Sequence, residues 1–226
     1  MASDIDICNL ALSHLGDTAT VTSLNPPEGS AQAQHCATFY SIARDTLLEM
    51  HSWGFATKRV ALAQLTNPST EWDYCYALPT DVLNILGILP PNSTDDYSAP
   101  IGVSTSYGYS TMNTPVIGAG SYVTQPYSIE TLADGTQVVF SDQPSAMMRY
   151  TAKVTDTTKF TPLFVNTLSW LLASMLAGPI IKGDTGAAEG KRCIQLAYQF
   201  LGEAKSSDTN QRNIKPEQVV NWMAGR

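Results

Sequence analysis

The chain reads as three zones, with helical spacing of apolar residues at both ends and two-residue alternation between them. Ser3 stands where a first helix would be capped, and Asp6, three residues on, completes a capping box. Ile7, Leu10, Ala11 and Leu15 then share one predicted face, and Gly16 is placed to stop the helix. Asn25-Pro26-Pro27-Glu28-Gly29 has the turn chemistry of a loop. A second helix is predicted from about Ser30 to His51. In it Cys36, Tyr40, Ala43, Leu47 and Met50 step by four and three, a seam suited to an antiparallel neighbour.

From Trp53 the period changes. Thr57 to Leu65 reads as a strand, Thr66-Asn67-Pro68-Ser69 as a turn, and Trp72 to Ala77 as a second strand with Trp72, Tyr74 and Tyr76 on one face. Asp81 to Leu89 is an apolar run predicted as a third strand, closed by Pro90-Pro91. Residues 92–120 form a low-complexity segment rich in Ser, Thr, Gly, Tyr, Asn and Pro with no Lys, Arg or Glu, and read as a loop projecting from a sheet. Strands resume over Tyr122 to Glu130, Thr136 to Phe140 and Met147 to Lys153, the first two joined by a hairpin signal at Asp134-Gly135.

Helical spacing returns at Thr161, a cap, with Pro162 at the first helical position. Phe164, Leu168, Leu171, Leu172 and Met175 form the predicted apolar face. Gly178-Pro179 is expected to end or kink this helix, and Gly183-Asp184-Thr185-Gly186 to make a loop. A fourth helix is predicted from about Ala187 to Ser207, carrying Ile194, Ala197, Tyr198, Leu201 and Ala204. The expected fold class is α+β: a four-helix bundle supplied by residues 1–56 and 156–207, interrupted by a β-rich insertion at 57–155. An extended tail at 208–226 follows.

Composition narrows the function. Charged residues make up 15% of the 226, against about 25% in an average protein. Polar but uncharged surface costs little to desolvate and suits burial against other proteins. The formal charge is -7 and no run of Lys or Arg occurs, which disfavours gripping duplex DNA. DNA sliding past without being held remains compatible. Cys8, Cys36, Cys75 and Cys193 are widely spaced with no CxxC pair, so reduced thiols acting as small hydrophobes are expected rather than a metal site. The acidic opening Met1-Ala2-Ser3-Asp4-Ile5-Asp6 lacks signal-peptide features. The longest apolar stretch, Leu168 to Ile181, is interrupted by Ser169, Ser174, Gly178 and Pro179, and is not expected to span a membrane.

Candidate chemistry is sparse. His14, His35 and His51 carry no ligand spacing, and neither a nucleophile elbow nor a P-loop is present. Asp95-Asp96 is an adjacent pair on a loop, unlike the opposed carboxylates a glycosidase holds. No catalytic residue, cofactor or metal is therefore expected. Trp72, Tyr74, Tyr76, Tyr107, Tyr109, Tyr122 and Tyr127 make the insertion aromatic, which fits sheet core and protein contact. The tail is polar until Val219, Val220, Trp222 and Met223. It reads either as a peptide that orders on a partner or as one that folds back on its own helices.

Several segments together carry a family resemblance. Ile7-Cys8-Asn9-Leu10-Ala11-Leu12-Ser13-His14-Leu15-Gly16 resembles the opening helix of podovirus tail tubular protein A and related phage head-to-tail adaptors. Arg44-Asp45-Thr46-Leu47-Leu48 with His51-Ser52-Trp53-Gly54-Phe55-Ala56 is similar to the same family. So are Trp72-Asp73-Tyr74-Cys75-Tyr76-Ala77-Leu78-Pro79-Thr80-Asp81 and Phe160-Thr161-Pro162-Leu163-Phe164 with Leu171-Leu172-Ala173. The resemblance spans most of residues 4–207. It implies a non-enzymatic virion neck or tail component assembled in the host cytoplasm, repeated as a cyclic ring, a dodecamer, between the portal protein and the tail nozzle or next neck protein. DNA would pass through its lumen during genome ejection without specific binding, and no membrane is involved.

Residues 92–120 and the tail match that family least, so contacts there follow from their own chemistry. Ile214, Val219, Val220, Trp222, Met223 and Arg226 are the expected portal-binding residues, and Tyr107, Tyr109, Tyr122 and Tyr127 the expected ring or tail interface. The rival readings are a hydrolase acting on cell-surface polysaccharide, and a glycan-binding module using Tyr107, Tyr109 and Trp72.

Overall fold

The computed structural model of the chain describes residues 2–18, 20–91 and 125–211. The fold is α+β, with four helices and two small antiparallel sheets. The described chain divides into two compact units, one of residues 2–57 with 151–211 and one of residues 58–150.

The first unit holds α1 (Asp4–His14), α2 (Ala31–Glu49), α3 (Pro162–Ile181) and α4 (Gly183–Asn210). The Ser3 hydroxyl accepts from the Asp6 amide while the Asp6 carboxylate accepts from the Ser3 amide, so both ends of the capping box close. At the other end Gly16, at φ +76°, donates to Ser13, and Asp17 donates to Leu12. That pair of bonds satisfies the last carbonyls in a Schellman motif. Ser30 caps α2 through the Ala33 amide, and Thr161 caps α3 through Phe164.

The buried stripe of α1 is Ile7, Cys8, Ala11 and Leu12, whereas Leu10 is 38% exposed. The expected stripe through Leu10 and Leu15 is thus rotated by about one position. Which of two adjacent leucines turns inward was decided by what α1 packs on, namely α2 and α3. In α2 the expected seam is buried from Cys36 to Leu47, joined by Ala33, Arg44 and Leu48.

Helix α3 touches each of the other three helices, and buries nine residues spread around its circumference. By length and composition it would also be long and apolar enough to cross a membrane, but half of that apolar window is buried within the protein. A helix apolar on all sides is what a central core position demands.

At its end one sequence expectation fails, and of another, that the helix ends or kinks, the first alternative is not met. Gly178-Pro179 does not terminate α3, which runs on to Ile181, and Gly183-Asp184-Thr185-Gly186 is not a loop but the first turn of α4. The break is made at Lys182 and Gly183, at φ +62° and +59°, and at Lys182 that conformation costs about 1–3 kcal/mol for a residue with a Cβ. The close α3–α4 contact offsets it. A Cβ on Gly186 would lie 2.8 Å from the Ala177 carbonyl oxygen, so only glycine lets the two backbones approach so far.

The second unit carries the strands: β1 (Thr57–Ala61), β2 (Gln64–Leu65), β3 (Tyr74–Ala77), β4 (Val82–Leu89), β5 (Tyr127–Thr131), β6 (Gln137–Ser141) and β7 (Met147–Ala152). The unit boundary falls inside β1 and β7. One sheet has the order β1-β7-β4 and the other β2-β3-β6-β5.

The single strand expected over Thr57 to Leu65 is therefore two strands in different sheets. Its middle residues make the transfer, the Leu62 amide donating to Ala146 and the Ala63 carbonyl accepting from Ala77. Strand β6 pairs with β3 (Cys75 opposite Phe140) and with β5 (Ile129 opposite Val139). The β5–β6 hairpin turns at Asp134-Gly135, with Gly135 at φ +86° and the Asp134 carboxylate accepting from Thr136.

Tyr74 and Tyr76 lie on one face with rings 6.2 Å apart. Trp72 instead packs with Cys75, Val138 and Phe140. It precedes β3 and so is not bound by the strand's alternation.

Candidate interaction surfaces

In the second unit β4 and β5 are each the outer strand of their sheet. Just before β5, the Gln125 amide donates to the Ile88 carbonyl of β4 at 3.1 Å in an isolated bridge. Beyond that bridge lies a groove of about 390 Å³ between them, lined by Leu78, Val82, Leu83, Ile85, Tyr127 and Ile129, with Asn84 and Gln137 as its polar side chains. Among the described residues no acidic or basic side chain lines it.

Tyr127 is 37% and Ile129 50% exposed, and the Tyr127 hydroxyl reaches toward the Ile85 carbonyl at 3.5 Å. Below β4, Asp81 accepts from Lys58 at 2.6 Å and from the Tyr150 hydroxyl at 2.9 Å. The Lys58 ammonium holds the Asp81 carboxyl below the usual range, while burial, then the bond to Asp81, pushes the Tyr150 phenol up to about 12.

The first unit presents a different surface. The His14 ring stacks on Trp170 with centroids 3.7 Å apart and planes 7° from parallel, and Phe200 stands near the same indole at 6.4 Å. The Arg192 guanidinium lies over Trp170 at 5.6 Å, and Arg192 pairs with Glu189. The Ser169 hydroxyl meets His14 Nε2 at 3.0 Å. Burial first, and then the Arg192 charge, lowers the His14 pKa from its ordinary 6.5. Among the described residues of this unit, the large apolar side chains left exposed are Leu10, Ile42 and Tyr198.

Near the end of α4, the buried Asp208 carboxylate accepts from the Gly54 amide at 3.0 and 3.2 Å and meets His51 Nε2 at 3.2 Å. It ties the last turn of α4 to the turn after α2. Arg44, 7% exposed, pairs with Asp45 at 2.7 Å, which also takes Lys153 at 2.7 Å. Beside it the buried Tyr40 hydroxyl has no hydrogen-bond partner among the described residues. All four cysteines are buried and free. Among the described residues no three His, Cys, Asp or Glu side chains gather as a metal site.

Of the residues expected to make interfaces, Tyr127 lies on β5 at the groove. Tyr107, Tyr109 and Tyr122, and the tail residues Ile214, Val219, Val220, Trp222, Met223 and Arg226, lie outside the described residues. Sequence reasoning passed over Ile129 and the β4 residues Leu83 and Ile85. The signal for Ile129 was present, an isoleucine between Ser128 and Glu130 on a short strand. That for β4 was not, because an unbroken apolar run does not say which residues stay uncovered. The chain matches no protein-family model, and no curated protein is significantly similar to it.

Proposed function

We propose that this protein is a ring-forming head-to-tail adaptor of a phage neck, a structural component rather than an enzyme. The observation that carries the reading is that residues 2–57 and 151–211 form one compact unit while the strands between them form another. That is the organisation expected from the resemblance to tail tubular protein A and its relatives. We read α1 to α4 as a four-helix bundle built from both ends of the chain.

Three further features support the assignment. The groove's lining side chains are mostly apolar and, among the described residues, none is charged, as suits a contact surface rather than a catalytic cleft. The net charge of -7 disfavours adhesion to DNA in a lumen. Exposed Tyr127 and Ile129 offer apolar contact area to a ring neighbour or to the tail nozzle, and cyclic repetition multiplies one modest contact into a stable ring. The tail, through Ile214, Val219, Val220, Trp222, Met223 and Arg226, is assigned to the portal.

Native mass measurement of the full chain, alone and with the portal ring of its phage, tests the proposal. A stoichiometric ring of subunits on the portal is expected. A chain that stops after Gln211 keeps Asp208 and its hydrogen bonds and is expected to lose portal binding. A full-length protein that leaves the portal bare sinks the adaptor reading. A Gln211-truncated protein that still loads normally sinks the tail assignment alone.

A further inference from the structure

We infer that the groove between β4 and β5 takes residues 101–109 of a neighbouring copy as an added strand, joining subunit to subunit. The inference rests on the ring reading for the presence of a neighbour, and names the segment that makes the contact.

The groove has the properties of a strand-addition site. Its walls are the outer strands of two sheets, and an outer strand is a template for pairing unless something covers it. Most of its lining side chains are apolar, Val82, Leu83, Ile85, Tyr127 and Ile129 among them, while about half of its exposed surface is polar and can pair with an added backbone. The bridge between Ile88 and Gln125 closes one end, which fixes where an incoming strand must stop.

The occupant follows from the sequence. Ile101, Val103, Thr105, Tyr107 and Tyr109 alternate strictly with Gly102, Ser104, Ser106 and Gly108. Every odd position is β-branched or aromatic and every even one small, so a strand here has one bulky face and one nearly bare. The bulky face suits the groove's apolar side chains, and the absence of Lys, Arg and Glu matches a lining without charge among the described residues.

Length argues for a neighbour's segment rather than the subunit's own. Residues 92–124 leave after β4 and return at Gln125, which is bridged to Ile88, so departure and return are one place. At about 3.3 Å per residue, that length of chain, extended and folded back once, would reach roughly 50 Å, against about 26 Å for the eight residues of β4. An arm meant only to cover its own groove needs about half as much chain.

Two measurements on full-length protein test this. In the first, a labelled synthetic peptide of residues 99–111 is added to a variant with Ile101→Ser, Val103→Ser, Tyr107→Ser and Tyr109→Ser. Saturable binding is expected, weakened at least tenfold by a further Ile129→Lys at the exposed groove wall. No binding, or binding indifferent to Ile129→Lys, overturns the site. In the second, subunits with Ile129→Cys are mixed with subunits carrying Tyr107→Cys and treated with a bis-maleimide on assembled rings. Covalent heterodimers are expected, and ladders when one chain carries both substitutions. A cross-link confined within single chains overturns the exchange between copies. Rings that form on the portal without any cross-link leave the adaptor reading standing and refute this contact. Peptide binding and heterodimers without portal loading do the reverse.

Discussion

Two glycines of α4 that face α3, with an exposed third as control, allow the α3–α4 packing to be tested with a single type of substitution. Alanine stabilises a helix by up to about 1 kcal/mol over glycine when nothing obstructs its methyl group. On α4 the obstruction is graded. A Cβ at Gly202 would meet nothing within 4 Å. At Gly190 it would lie 3.2 Å from the Ser174 carbonyl oxygen, and at Gly186 2.8 Å from that of Ala177.

Those oxygens are backbone atoms of α3 and cannot rotate away, so relief requires the helices to separate. Overpacking of that kind costs about 1–3 kcal/mol. Gly202→Ala is therefore expected to raise stability by about 0.5–1 kcal/mol, Gly190→Ala to leave it within about 0.5 kcal/mol, and Gly186→Ala to lower it by about 1–2 kcal/mol. Urea melts followed by far-ultraviolet circular dichroism resolve differences of this size, and thermal midpoints should separate by about 2–4 °C per kcal/mol. If Gly186→Ala stabilises as much as Gly202→Ala, α3 and α4 do not approach as described.

Other perturbations probe other contacts. Asp208→Ala removes the acceptor of the Gly54 amide and should cost about 2–4 kcal/mol. Hydrogen exchange at Gly54 should lose its protection, and an unchanged rate there refutes the tie. Tyr40→Phe deletes a buried hydroxyl with no hydrogen-bond partner among the described residues, so equilibrium unfolding should show no loss, or a gain of up to about 1 kcal/mol. The lowered His14 pKa makes the folded state bind its proton later than the unfolded chain does. Stability from this group is thus complete above about pH 6.5 and declines as pH falls toward the folded value. His14→Gln should flatten that part of the stability–pH curve, and an identical slope in wild type and variant contradicts the assignment. Because Cys8, Cys36, Cys75 and Cys193 are buried, a bulky thiol reagent should label none in native protein and all four in denaturant. Rapid native labelling of any of the four would show that it is accessible.

What the amino-acid sequence determined alone is whatever a few neighbouring residues settle among themselves. The Ser3–Asp6 box, the Gly16 stop, the Thr161-Pro162 start and the Asp134-Gly135 turn are hydrogen bonds of backbone groups closed within five residues, and each was legible before any fold was known. The succession of helices, strands and helices was legible too, because burial of one face imposes a period on the chain. Tertiary structure decided the rest, wherever the outcome depended on a distant partner. It turned Leu12 inward instead of Leu10, and divided Thr57–Leu65 between two sheets. It also carried α3 past Pro179, with Gly186 of α4 seated beside Ala177. The groove belongs to this second class: β4 and β5 are ordinary strands by sequence, and only the order of strands in each sheet leaves both at an edge.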